Sequence, residues 1–580
     1  MDDCGKVSPP EYGKSLMERR NLFSALLVGL LVGFGSNSFV APSVAHAENG
    51  LDHIQVADEV KRVLTEGREF EVKQRWGEAL TTYENALRIY PTDSELNRRM
   101  RITRLHYELD RRYSDDTFVS SIRRLSESES LSLMEEVATK LETHYVDNPD
   151  WRELLRCGTS SVQIALLDPT VRKTLGVQAS AEQVRDMIRA IWSTQSQQSF
   201  ANRQEAIDFV RWSSRIVSRQ MGVSPNAAIF EYVCGAMSSL DPYSTYLTEQ
   251  QLEDVYSQIK GNFVGLGVEL KTDTGTLLIS DVISNGPAEL AGVRSGDTIV
   301  QIDDKVVSEL PVDVAADLLK GEQGSVVYLT LKNGEGQNRQ VRVRRDRVEV
   351  PSVEDVKMLD PSKGIAYLKI SSFQETTSRD VDAALWKLLG QGMRSLIIDV
   401  RGNPGGLLTE SVEVADRFVM DGTIVSTLGR STRENFNYKA RKVGTWRVPL
   451  VVLIDGDSAS ASEIFAGAIR DHDRGIVVGS RSYGKGSVQG IFPLRILESG
   501  VRLTTAKFYS PNGKAISNAG VDPNVSVRTM AKPLESGELL ASHDSILQAG
   551  IEQATRIIDQ PVETRSEFAS STSPGQKAGW

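Results

Sequence analysis

From Lys363 onward the chain alternates apolar, β-branched runs with stretches of helical period, and this alternation constrains the fold more than any other feature. The runs are Ile365 to Ile370, Ser395 to Val400, Val448 to Ile454 and Gly475 to Val478. Helical stretches lie around Val381 to Leu389 and from about Ser462. Strands alternating with helices in this way build an α/β layer domain.

The texture upstream is different. Between Asn262 and Arg345, short β-branched runs are punctuated by Gly and Asp, which implies a compact β-rich module with a helix over Val312 to Lys320. Ser130 to Leu247 carries helix-period stretches such as Leu133, Met134, Val137, Leu141 and ends in Leu240-Asp241-Pro242-Tyr243-Ser244-Thr245-Tyr246-Leu247, where proline stops the helix. Further upstream, Gly67, Phe70, Ala79, Tyr83, Ala86 and Pro91 set small residues where two helices cross. They resemble one tetratricopeptide unit, a helical hairpin that cannot form a solenoid alone but offers a surface to an adaptor protein. Lys14, Arg19 and Arg20 precede an apolar run from Leu22 to Phe34, and Ala45-His46-Ala47 supplies the small residues of a cleavage site. This predicts a secretory signal and an exported chain, in a bacterial periplasm or cell envelope. An uncleaved signal would instead associate the chain with the membrane.

The charge balance of -10 provides no basic field for nucleic acid, which is excluded as a partner. Three cysteines, Cys4, Cys157 and Cys234, are too few for a disulfide framework and lack metal-ligand spacing; Cys157 and Cys234 are open to pairing or to burial as thiols.

Three glycine- and serine-rich segments follow strands of the α/β part: Asp399-Val400-Arg401-Gly402-Asn403-Pro404-Gly405-Gly406, Asp457-Ser458-Ala459-Ser460-Ala461-Ser462-Glu463 and Ser482-Tyr483-Gly484-Lys485-Gly486-Ser487-Val488-Gln489. Ser460 fits the first position of a capping box closed by Glu463. It is equally placed as a nucleophile, because the amide of Ala461 and the positive end of a helix can stabilise an oxyanion. Only six histidines are present, and His472 lies far along the same helix, so a Ser-His-Asp triad is poorly supported. Lys485 is the better base, since burial between glycines can strip its charge. Gly479 to Lys485 also spells most of a phosphate-binding loop, but Gly486 replaces the magnesium-binding hydroxyl and the following residues read as a strand.

Taken in order, these segments resemble the carboxy-terminal processing proteases, tail-specific serine peptidases of family S41. The β-rich module, with Gly265-Leu266-Gly267-Val268, Pro287-Ala288 and Gly296-Asp297, resembles a PDZ domain. The resemblance runs from about Leu240 to Ala554 and includes Tyr509-Ser510-Pro511-Asn512-Gly513 and Gly520-Val521-Asp522-Pro523. It implies a multidomain chain: an α-helical N-terminal region, a PDZ module and an α/β crotonase-like protease core. It also implies a serine endopeptidase with Ser460 as nucleophile, Lys485 as general base and Gln489 orienting the lysine. Oxyanion donors would be Ala461 and the Gly405-Gly406 turn, and Gly265, Leu266, Gly267 and Val268 would capture the terminal carboxylate of protein or peptide substrates. No metal or other cofactor is implied. Lys320 stands where many relatives carry an arginine that couples the PDZ module to the catalytic site, which puts that coupling in doubt. The expected divisions are 1–47 (signal), 54–113 (hairpin), 130–250 (helical region), 255–345 (PDZ), 350–530 (protease core), 531–557 (C-terminal helical segment) and 558–580 (tail). A rival reading is a non-catalytic adaptor of the cell envelope that binds through the PDZ module and the hairpin.

Overall fold

The computed structural model describes residues 50–273, 276–310, 312–441, 445–527 and 544–559. The signal segment, residues 1–47, lies outside the described residues, as does the tail after residue 559. No helix among the described residues is long and apolar enough to cross a membrane.

The N-terminal hairpin consists of helices Gly50–Val72 and Trp76–Ile89, packed on a third helix, Ser94–Tyr113. Glycine is required at position 67, because a Cβ there would come within 2.3 Å of the Tyr83 ring. The buried Glu71 carboxylate accepts hydrogen bonds from Tyr83 Oη and Thr103 Oγ1, both at 3.0 Å, and so pins all three helices together. The hairpin thus docks on its own chain.

At the centre of the helical region lies helix Pro225–Ser238, buried along nearly its whole length. Its Gly235 meets Gly158 of helix Trp151–Leu167, where a Cβ would fall 2.9 Å from the Gly158 Cα, so the two backbones cross in close contact. Cys157 and Cys234, on these two helices, are buried free thiols. The same hydrophobic core takes in Phe492, Val501 and Leu503 from strands Ser487–Pro493 and Gly500–Tyr509, and Leu494 from the turn between them, so the helical region and the α/β part share one core.

The α/β part is built on a six-stranded sheet in the order Val353–Asp360, Ile365–Ile370, Ser395–Asp399, Leu450–Ile454, Ile476–Gly479 and Val525–Ser526, parallel except for the first pair. Helices Thr377–Gly390, Leu408–Asp416 and Ala461–Asp471 pack with Ala366, Leu368, Leu396, Ile398 and Val452 on one face. Helix Ser545–Asp559 packs with Ile365, Tyr367, Ile397, Val451 and Leu453 on the other. Both faces are covered, which explains why these strands read as unbroken apolar runs. A second sheet joins Thr245–Leu247, Gly500–Tyr509, Thr423–Gly429 and Phe436–Lys439, with Ser487–Pro493 also paired to Gly500–Tyr509.

The β-rich module has its own core of Leu277, Ile279, Ile299, Leu329 and Val343. It joins the rest of the chain through a two-stranded ribbon, Asn262–Gly265 against Asp346–Glu349. Its sheet begins with Val268–Asp273 as an edge strand, directly after the Gly-Leu-Gly-Val segment. The helix predicted over Val312 to Lys320 is shorter, Val312–Asp317. Beyond it, the carbonyls of Leu318 and Leu319 accept from the Arg345 guanidinium, both at 2.9 Å. Arg345, next to the exit ribbon, therefore holds the turn that follows this helix.

Candidate active site

The three glycine- and serine-rich segments leave the carboxyl ends of three neighbouring parallel strands, Ser395–Asp399, Leu450–Ile454 and Ile476–Gly479. Open α/β sheets gather ligands at this edge. Ser460 stands at the N-terminus of helix Ala461–Asp471 with φ 57° and ψ -109°. An ordinary N-cap serine is extended. A non-glycine residue in this region costs roughly 1–3 kcal/mol and persists only where its surroundings enforce it. The enforcing contacts are visible: the Ala459 amide donates to the Asn403 carbonyl at 2.9 Å, and Ser462 Oγ donates to the same carbonyl at 3.0 Å.

The glycine turn lies against the serine. Gly405, at φ 112°, comes so near that a Cβ on it would sit 2.9 Å from the Ser460 Cβ and 3.1 Å from the Ala461 nitrogen. Its own amide donates to Asn403 Oδ1 at 2.8 Å, while Gly406 follows at φ 137° against the backbone of Phe373.

Lys485 is 8% exposed, with Nζ 4.6 Å from the ring centroid of Tyr243. Burial, reinforced by the neighbouring Arg502 guanidinium, lowers its pKa to about 8, against the opposing pull of the Glu463 and Asp241 carboxylates. Gln489, also buried, donates to Ser487 Oγ at 2.9 Å and Thr504 Oγ1 at 3.3 Å. Thr504 Oγ1 in turn donates to Asp241 Oδ1 at 3.1 Å, so these bonds tie Gln489 to the lysine's surroundings through Thr504 and Asp241. His472 is not part of the site: it ends the helix and its Nε2 meets the Thr423 carbonyl at 2.7 Å.

Residues not singled out as site members in the sequence complete the arrangement. Tyr243 and Asp241 come from the Leu-Asp-Pro-Tyr segment, brought in by the pairing of Thr245–Leu247 with Gly500–Tyr509. The carboxylate of Glu463 accepts the amides of Ser460 at 2.7 Å, Gly484 at 2.6 Å and Lys485 at 2.9 Å, and the Ser482 hydroxyl at 2.6 Å. The capping-box reading found only the first of these four bonds. Arg88, near the end of the second hairpin helix, lies with its guanidinium carbon 4.4 Å from the centroid of the Tyr483 ring, so the hairpin reaches the lysine loop.

The sequence profile of peptidase family S41 matches residues 364–527, and that of a PDZ domain matches residues 278–333. The carboxy-terminal-processing protease of Bartonella bacilliformis is 38% identical over 301 residues, 50% of this chain and 68% of that protein. This chain belongs to the carboxy-terminal-processing protease family, peptidase family S41. The probable CtpA-like serine protease of Staphylococcus epidermidis is 34% identical over 295 residues, again 50% of this chain but 58% of the relative. Among solved structures, the photosystem II D1 C-terminal processing protease is 23% identical, over 76% of this chain and all of that one, with a TM-score of 0.38. Within this S41 chain the PDZ match falls on the β-rich module with the open edge strand.

Proposed function

We propose that the protein is a serine endopeptidase that recognises the C-terminal region of protein substrates through its PDZ domain and cleaves them with a Ser460–Lys485 dyad. The observation that supports the reading is a serine in strained backbone at a helix N-terminus and a buried lysine whose pKa is lowered to about 8, the backbone amides of both bonded to the Glu463 carboxylate. A lysine neutral at mildly alkaline pH can accept the serine proton, which an ordinary surface lysine cannot.

In this mechanism Ser460 Oγ attacks the scissile carbonyl while Lys485 Nζ takes the hydroxyl proton. The amides of Ala461 and Gly406 receive the oxyanion; Gly405, whose amide donates to Asn403, shapes the turn. Collapse of the tetrahedral intermediate breaks the C–N bond, with Lys485 returning the proton to the leaving amine. Water then attacks the acyl-enzyme with Lys485 again as base, the ester C–O bond to Ser460 breaks, and Lys485 returns the proton to Ser460 Oγ as the carboxyl product leaves. Gln489 acts on the lysine through Thr504 and Asp241. At the PDZ domain, a substrate tail adds as a strand to the open edge Val268–Asp273, with its carboxylate at Gly265, Leu266, Gly267 and Val268. An exported location, in the cell envelope, fits the basic and apolar N-terminal segment.

The test is cleavage of an unstructured protein by the wild-type chain and by Ser460→Ala and Lys485→Ala. Wild type is expected to cut, and both variants to fold and fail. Near-wild-type turnover by Lys485→Ala would exclude the dyad.

A further inference from the structure

We propose that Glu463 is a positioning residue for Ser460 and Lys485, its single carboxylate setting the spacing between the serine turn and the lysine loop. The proposal rests on the dyad reading above and deepens it.

A capping box asks only one bond of the carboxylate at the third helical position, accepted from the N-cap amide; the other bond of the motif belongs to the N-cap side chain. Glu463 makes that bond through Oε2 and then exceeds it. Oε2 also accepts the Lys485 amide, while Oε1 accepts the Gly484 amide and the Ser482 hydroxyl. The residue is 0% exposed and these four donors are neutral. A buried carboxylate without such donors would be costly, so the four bonds favour one relative placement of the two segments. Gly484 adopts φ 92° in the loop that presents consecutive amides to the carboxylate, and a Cβ there would lie only 3.2 Å from the Asn518 carbonyl carbon. Ser482 passes the constraint outward, its Oγ accepting the Val521 amide at 2.6 Å.

The same carboxylate bears on the chemistry of the lysine. The charged and titratable groups facing Lys485 are Arg502 from strand Gly500–Tyr509, Asp241 and Tyr243 from the Leu-Asp-Pro-Tyr segment, and Glu463 from the nucleophile helix. Arg502 opposes protonation, whereas Glu463 and Asp241 favour it. Removing the Glu463 charge therefore favours the neutral lysine, while removing its geometry misplaces it.

Two variants separate these effects. In Glu463→Gln the amide nitrogen faces donors, so half of the staple is lost with the charge. We expect kcat to fall roughly 10- to 100-fold, KM and binding of a free C-terminal peptide to be unchanged, and the pH midpoint of kcat/KM to move to lower pH than in wild type. In Glu463→Asp the charge stays but the oxygens retract, so kcat falls while the midpoint stays near that of wild type. Wild-type kcat and an unmoved midpoint in folded Glu463→Gln would overturn the proposal. Lys485→Ala, measured alongside, separates the two readings, because an active Lys485→Ala rejects the dyad itself. Should Glu463→Gln not fold, hydrogen exchange of the wild-type chain decides. The Gly484 and Lys485 amides are expected to be as protected as those of the neighbouring strand Ser487–Pro493, and fast exchange at both would overturn the proposal.

Discussion

Gly405 approaches Ser460 so closely that a Cβ on the glycine would lie 2.9 Å from the Cβ of the serine. The same Cβ would press on the Ala459 carbonyl at 2.9 Å, and φ 112° disfavours any L side chain. Gly405→Ala is therefore expected to displace the serine turn, cost roughly 1–3 kcal/mol of stability and lower kcat by about 100-fold or more. Gly513→Ala is the control, since φ there is 73° but a Cβ meets nothing within 4 Å. It should lose about 1 kcal/mol and keep its kcat. Thermal unfolding and peptide hydrolysis read both.

Lys485 also affects stability. Its folded pKa of about 8 lies below its ordinary value of 10.5, so the native state binds the proton less well than the unfolded chain. The penalty is complete below pH 8 and disappears as pH rises towards 10.5. Lys485→Met should accordingly be inactive yet more stable than wild type at pH 7, by about 3 kcal/mol at most. The gain should shrink as the solution is made alkaline. Denaturant titrations at neutral and alkaline pH measure it, and equal stability at neutral pH would contradict the burial argument.

The open PDZ edge strand predicts that a substrate's terminal carboxylate contributes to binding and not to the chemical step. Amidating the C-terminus of a protein substrate should raise KM by roughly 10- to 100-fold, the worth of hydrogen bonds to one charged group, with kcat little changed. Steady-state kinetics on matched free-acid and amide substrates separate the two.

The fold was legible wherever local pattern and burial coincide. The runs at Ile365, Ser395 and Val448 are strands because both sheet faces are covered, and the stretch around Val381 lies inside helix Thr377–Gly390. Ser460 and Lys485 stood out because small residues surround them in sequence. Tyr243 and Asp241 did not, because a pairing with residues near Arg502, far along the chain, brings them to the lysine. Glu463 was visible only as a helix cap: three of its four bonds come from a loop 19 to 22 residues away, beyond any local signal. The shortened PDZ helix was hidden for the same reason, since the Arg345 side chain that takes the carbonyls of Leu318 and Leu319 just beyond it lies between two later strands.

The central claim is that Lys485, made neutral by burial, is the base for Ser460, and the pH dependence of kcat/KM on an unstructured substrate tests it most directly. Neutral lysine is the active form, so the rate should rise with pH and level off, with a midpoint near the lysine pKa of about 8. A profile flat across that range would contradict the account.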